Sequence, residues 1–333
     1  MAYSLRGNSN PSFEALPQMS IRPALEVPLA TAQSIVDRVL AGRRAAAVSN
    51  IHGGEIAAVY MITFEGPYPP VVLKVYPDAL HWKMLKEATV ISLLKSQLSV
   101  PIPRVLLADD SKQIIALNFI LMTKLDGEIL AGLEPTLTRE ELLSGYRQIG
   151  KLLHELHRLP MNAFGYIGPN GIMTEHATNE AYLSAEFGRK LKEFTEHGGG
   201  VGLARRLAKY VARWAHLLQE CTRPVLCHND LHAGNLLAKV TAGSLRLTGV
   251  LDFEGALAGD PLMDVAKALY YLTGATKTAI LHGYGDMGRR HWPETLDLYH
   301  LYFVLELWCW MAQIGNREPL GKLTAELERC SAT

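Results

Sequence analysis

The sequence predicts an α+β fold of two lobes: a small N-terminal lobe made of a five-stranded antiparallel sheet and one helix, then a larger, mainly helical C-terminal lobe. Three observations predict it. Short runs rich in β-branched and aromatic residues, separated by Gly, Pro, Asn and Asp, fill the first third of the chain up to Thr123. From Thr138 onward the apolar residues recur with a helical period instead. A chain of 333 residues, 48% of them apolar, also has enough side chain to bury more than one core.

Residues 1–30 read as an irregular arm, with Asn8, Asn10, Pro11 and scattered prolines and no apolar h-region, so no secretory signal is expected there. Thr31 to Leu40 carries Ala32, Ile35, Val36 and Val39 at helical spacing, and Gly42 stops it. Strands follow at Ala45–Ser49 and Ile56–Phe64. Between them, Gly53 and Gly54 allow backbone amides to approach a phosphate, although such a pair between strands is more often a plain hairpin turn. Val71–Tyr76 is a buried strand with a single lysine, Lys74, which reads either as functional or as a side chain snorkelling from a strand end. The stripe Met84, Ala88, Ile91, Leu94 predicts a helix over 80–97 whose only acid is Glu87. Strands at Val105–Ala108 and Ile114–Met122 complete the first lobe. The crossing to the second falls at 122–127, dividing the chain into 31–123 and 124–333.

In the second lobe Thr138 and Glu141 form a capping box, opening a helix that runs to near Pro160. Helices are predicted at Asn179–Glu196, Leu203–Gln219, Pro261–Thr273, Pro293–Ile314 and Glu318–Cys330. A short strand, Val225–Cys227, enters the stretch CHNDLHAGN, and a hairpin of Leu236–Val240 and Leu245–Leu251 follows it. The 33 basic residues balance the 33 acidic ones, which gives no electrostatic reason to expect nucleic acid or an acidic membrane as partner. The longest apolar run, Leu301 to Ile314, is broken by Glu306 and too short to span a bilayer. Four cysteines without a C-x-x-C pair fit reduced thiols in a cytoplasmic protein.

His228, Asp230 and Asn235 stand in an H-x-D-x-x-x-x-N pattern. Phosphotransferases space a proton-accepting carboxylate and a metal ligand in this way, because their chemistry is mostly alignment and charge neutralisation. Asp230 supplies the carboxylate, and Asn235 a hard neutral oxygen suited to Mg²⁺. Lys74, Glu87, His228, Asp230, Asn235 and Asp252 then occur in kinase order, and the set is far more specific than any member. Only seven residues separate Asp252 from Asp260, which leaves no room for a phosphorylatable activation loop and argues for a small-molecule acceptor.

With HGGEIAAVY, VVLKVY, LMTKLDG, LLHELH, FGYIG, CHNDLHAGNLL and LDFEGALAGDPLMDVA, the chain resembles the aminoglycoside phosphotransferase and choline kinase family, the small-molecule branch of the protein-kinase-like fold. The resemblance covers roughly Ala45 to Leu272. It implies Asp230 as catalytic base, Asn235 and Asp252 as Mg²⁺ ligands, and Lys74 on the α- and β-phosphates of ATP with Glu87 positioning it. By the same resemblance 31–123 is the nucleotide-binding lobe and 124–333 the catalytic and acceptor-binding lobe. Gly53 and Gly54 cover the phosphates, Thr123 and Leu125 meet the adenine, and Met122 lies beneath it. His228 and Asp264 support the loop, while His232 stands where protein kinases carry a lysine facing the γ-phosphate. Asn229 matches choline kinases where most aminoglycoside phosphotransferases carry glycine, so the acceptor stays open between an aminoglycoside antibiotic and a metabolite such as an amino alcohol or sugar. A pseudokinase that binds nucleotide without catalysis is the third reading. Glu254 and Asp286 are candidate amine contacts, and Tyr302, Trp308 and Trp310 are candidate stacking residues, although aromatics at helical spacing are more often core. A monomer or a homodimer is expected.

Overall fold

A computed structural model describes residues 23, 25–51 and 56–331. The expected arm and the Gly53–Gly54 turn lie outside these, apart from a few residues before the first helix.

The chain enters the fold through α1 (Leu29–Asp37), followed by β1 (Ala45–Ile51), β2 (Ala58–Phe64) and β3 (Val71–Tyr76). Next come α2 (His81–Leu93), β4 (Val105–Asp109) and β5 (Asn118–Thr123). The strands form one antiparallel sheet in the order β1-β2-β3-β5-β4. Alternation is clean in β2, where Ala58, Tyr60, Ile62 and Phe64 are buried, because only one face of that strand is covered. The central β3 is buried almost throughout, since α1 packs on one face of the sheet and α2 on the other. Ile114 to Leu117 do not extend the last strand as expected; they form a bend, and Ile115 folds into the α1 side of the core.

Beyond the crossing lie β6 (Glu128–Ile129), α3 (Leu130–Leu133), α4 (Arg139–Leu156), β7 (Gly165–Gly168) and β8 (Gly171–Ile172). They are followed by α5 (Asn179–Glu196), α6 (Val201–Trp214), β9 (Val225–Cys227), β10 (Leu236–Thr241), β11 (Ser244–Val250) and β12 (Leu257–Gly259). The chain ends with α7 (Pro261–Leu269), α8 (Gly274–Tyr284), α9 (Trp292–Gln313) and α10 (Leu320–Cys330). The capping box at Thr138 forms in both directions, with the Glu141 amide donating to Thr138 Oγ1 and the Thr138 amide to Glu141 Oε2. Helix α4 stops at Leu156, short of Pro160, and the helix expected over 203–219 finishes as a 3₁₀ turn at Ala215–Glu220.

Two cores fill this lobe. One lies under α4, α7, α8 and the β10–β11 hairpin; the other is enclosed by α5, α6, α9 and α10. Val90 and Ile91 of α2 pack into the first, so this helix carries its amphipathic face from the sheet into the helical lobe. Tyr302 and Trp308 are core residues of α9, as their helical spacing allows. Among the described residues no helix is long and apolar enough to cross a membrane. None of the four cysteines is joined in a disulfide among the described residues.

Candidate active site

Strand β3 places Lys74 in the middle of the sheet, paired with Val59 on one side and Ile120 on the other. Its Nζ lies 3.0 Å from Glu87 Oε2 on α2, 2.9 Å from Asp252 Oδ1 and 3.1 Å from Glu254 Oε2. Burial alone would favour the neutral amine, but Asp252, Glu87 and Glu254 outweigh it and raise the Lys74 pKa well above its ordinary value. Glu87, itself buried, is pushed upward by desolvation against the pull of Lys74, and it accepts the Tyr76 hydroxyl. Glu254 also takes Lys83 Nζ at 3.2 Å. Burial opposes its ionisation, yet the two lysines win and hold it down to about 2.

The CHNDLHAGN loop leaves β9 at Cys227. Asp264, fully buried in the first turn of α7, accepts the amides of His228 at 2.7 Å and Asn229 at 2.8 Å, and His157 Nε2 of α4 lies 3.2 Å from it. Tyr284 in turn meets His157 Nδ1 at 2.9 Å. Asn229 turns through a left-handed backbone, φ 59°, and its Nδ2 donates to the Gly255 carbonyl at 3.2 Å. A side chain at Gly255 would sit 3.3 Å from the His228 carbonyl, which keeps that position small. His228 faces inward, with Nε2 3.0 Å from the Leu251 carbonyl and its ring against Phe253.

Asp230 therefore projects from a braced loop with its side chain 44% exposed. Asn235 Nδ2 donates to the Asp230 carbonyl at 2.9 Å and to its Oδ2 at 3.2 Å, so the Asn235 amide oxygen faces away, and Asp230 Oδ1 has no partner among the described residues. His232 Nδ1 accepts the Gly234 amide, which leaves the proton on Nε2, 3.8 Å from Asp230 Oδ2. Desolvation works against ionisation of Asp230, but His232, Lys267 and His228 hold it below the usual carboxylate range. The Leu251 amide bonds to the Asn235 carbonyl at 2.9 Å and closes the β10–β11 hairpin at its base. The next residue, Asp252, is left-handed at φ 65°, which turns its carboxylate back toward Lys74.

The fold thus gathers Lys74, Glu87, Asp252 and Glu254 in one cluster, with Asp230, Asn235 and His232 in the loop joined to it by the hairpin. Asp286 stands apart, exposed after α8 and capping the Gly288 amide at 2.9 Å. At the crossing, Met122 packs with Ala57, Tyr76 and Ile120 as an apolar floor. The Thr123 amide donates to the Arg104 carbonyl at 3.0 Å, and Leu125 accepts Lys124 Nζ through its carbonyl. A base held by the Thr123 amide would have to open that bond.

Three residues around the site were not singled out by sequence. His157 lies within LLHELH, where a helical histidine looks unremarkable. Lys267 of α7 pairs with Glu306 of α9 at 3.1 Å and lies over the Phe303 ring. Lys86 of α2 is buried beneath the rings of Trp82 and Tyr166, and burial together with Lys83 pushes it down to about 7. Each of these lysines and acids falls on a helix face that reads as solvated until a distant element covers it.

The family model for the phosphotransferase enzyme family matches residues 47–298. Among solved structures, a thermostable mutant of aminoglycoside phosphotransferase APH(4)-Ia in ternary complex with ADP and hygromycin B superposes with a TM-score of 0.69 at 19% identity, covering 90% of this chain and 97% of that one. The GDP and kanamycin complex of APH(2")-IIia gives 0.64 at 17% identity, covering 90% and 98%. The gentamicin complex of APH(2")-IIa gives 0.66 at 18% identity, covering 92% and 97%. These are the two-lobed, kinase-like folds that the strand and helix order describes.

Proposed function

The chain belongs to the phosphotransferase enzyme family, and from that premise we propose that it moves the γ-phosphate of ATP to a hydroxyl of a small molecule, with Asp230 as catalytic base. The observation that carries this reading is the single connected constellation in which Lys74 bridges Glu87 and Asp252 while Asn235 orients Asp230.

The chemistry follows from which atoms are free. An acceptor hydroxyl hydrogen-bonds to Asp230 Oδ1, since Oδ2 is engaged by Asn235 and His232. As its oxygen forms a bond to the γ-phosphorus, the bond from phosphorus to the bridging β–γ oxygen breaks, ADP departs with the electron pair, and the hydroxyl proton passes to Asp230. Lys74 supports the α- and β-phosphates. The free amide oxygen of Asn235 and the carboxylate of Asp252 are hard donors that fit Mg²⁺, and these two residues would hold it; when bound, the ion neutralises charge on the phosphate oxygens. His232 Nε2–H is available to a phosphate oxygen.

For the acceptor, the neighbours bound to hygromycin B, kanamycin and gentamicin support an aminoglycoside-type molecule as the first reading. A hydroxylated metabolite is the second, favoured by the pairing of Glu254 with Lys83 and of Glu306 with Lys267, which leaves those acids engaged by lysines of this chain. Substituting Asp230→Ala is expected to lower kcat by about 10²–10⁴ while nucleotide affinity stays within a few-fold. Turnover close to that of the parent would reject Asp230 as base. A coupled ADP-release screen against aminoglycosides, amino alcohols, sugars and hydroxy acids identifies the acceptor.

A further inference from the structure

Lys74 commits all three of its donors to carboxylates: Glu87 at 3.0 Å, Asp252 at 2.9 Å and Glu254 at 3.1 Å. The kinase order of the sequence gives a role to the first two, one positioning the lysine and the other facing the metal. It gives none to Glu254. The amine contact expected of this residue does not fit, because it is 9% exposed and both of its oxygens already meet lysines of the chain. The three acids lie close enough together to hold a metal ion, but the ammonium is within hydrogen-bond distance of each and fills that place itself.

Glu254 reaches in two directions. Its Oε2 takes Lys74 on β3, and its Oε1 takes Lys83 Nζ on α2 at 3.2 Å. Lys83 stands four residues before Glu87, on the same face of that helix. One carboxylate therefore contacts both the lysine and the helix whose glutamate positions it. The turn Phe253–Gly255 that carries Glu254 is itself fixed. Phe253 is buried in the core that Val90 and Ile91 of α2 also enter, and the Gly255 carbonyl accepts Asn229 Nδ2 at 3.2 Å, next in the chain to Asp230.

We propose that Glu254 is a second positioning residue for Lys74, acting together with Glu87 and holding α2 in place through Lys83. The inference rests on the phosphotransferase reading and deepens it. In that reading Asp252 is given over to Mg²⁺, which frees one donor of Lys74 for a phosphate oxygen. The other two stay on Glu87 and Glu254, and an ammonium held at two points has the direction of its third N–H set.

AMP-PNP is titrated calorimetrically, with Mg²⁺, into the full chain as the parent, Glu254→Gln, Lys83→Met and the double variant, and adenosine affinity is read from its competition with AMP-PNP. Adenosine has no phosphate for Lys74 to meet, so a loss confined to AMP-PNP reports the lysine and not a general loosening of the lobe. Glu254→Gln is expected to weaken AMP-PNP about tenfold and Lys83→Met about threefold, with adenosine affinity held within about twofold. The double variant should bind AMP-PNP within about twofold of Glu254→Gln alone, because both changes act through one carboxylate. If Glu254→Gln does not fold, Lys83→Met carries the test with the same adenosine control, since that side chain is already 20% exposed. Unchanged or tighter AMP-PNP binding overturns the proposal, as do equal losses for both ligands or losses that add in the double variant. A parent that binds no AMP-PNP rejects the phosphotransferase reading itself, whereas a parent that binds it with the variants unaffected rejects the role of Glu254 alone.

Discussion

At the scale of single residues, Asp264 braces the CHNDLHAGN loop from the interior. Its two oxygens satisfy two consecutive loop amides and meet His157, all in the interior. Removing the carboxylate orphans those amides together, so Asp264→Ala is expected to cost about 2–5 kcal/mol in urea unfolding, with turnover falling more than the loss of folded protein explains. A change under about 1 kcal/mol would show that water replaces the carboxylate. The candidate positions that the fold brings together were legible because side-chain type and spacing both constrain them: Asp230, Asn235 and Asp252 sit at the two ends of one hairpin, and Lys74 is a lone charge in an apolar strand. Lys86 and Lys267 were not. A lysine on an amphipathic helix looks like solvated surface, and what buries Lys86 is Tyr166, on a strand of the other lobe.

At the scale of elements, α4 and α8 meet through glycine. A Cβ on Gly283 would lie 2.0 Å from the Arg147 carbonyl oxygen, and one on Gly150 would lie 2.1 Å from that of Ile280, so the backbones pack with nothing between them. Gly283→Ala must push the helices apart and drag Tyr284 from His157; the expected cost of about 1–3 kcal/mol is read as a lower Tm, and an unchanged Tm would contradict the close contact. The same feature hid α8 from the sequence. A helix that packs through Gly and Ala displays no stripe of large apolar residues, and GATKTAILHGY was left out of the helical pattern. The strands of two to four residues at 128, 165, 171 and 257 are too short for a period to register. By contrast α5 follows its amphipathic stripe from Asn179 to Glu196, and Thr138 caps as its motif requires.

At the scale of the whole molecule, the two lobes are joined by charge as well as by chain. Lys74 and Lys83 in the first reach Asp252 and Glu254 in the second. The Glu254 carboxyl is held down to about 2 from an ordinary 4.5, so its stabilisation is fully present above 4.5 and drains away as pH falls through 2. The Glu254→Gln variant should therefore lose less stability than the parent between those values in an acid titration followed by circular dichroism; parallel curves would mean Glu254 contributes nothing to that slope. The two-lobed arrangement was legible because chain order and site order agree. Which helix faces close over the acceptor was not, since that depends on contacts between segments far apart in sequence.

The β10–β11 hairpin has one more implication, which concerns tolerance to insertion. Asn235 enters it and Asp252 leaves it, and the pairing of Leu236 with Val250 through Thr241 with Ser244 sets the gap between them like the arms of a caliper. The exposed tip at Ala242 and Gly243 lies at the far end of the arms, so added residues there lengthen the handle and leave the jaws alone, whereas one extra residue inside either arm shifts the register and turns one of these side chains away from the other. A label or affinity tag intended to leave the Asn235–Asp252 end undisturbed belongs at that tip.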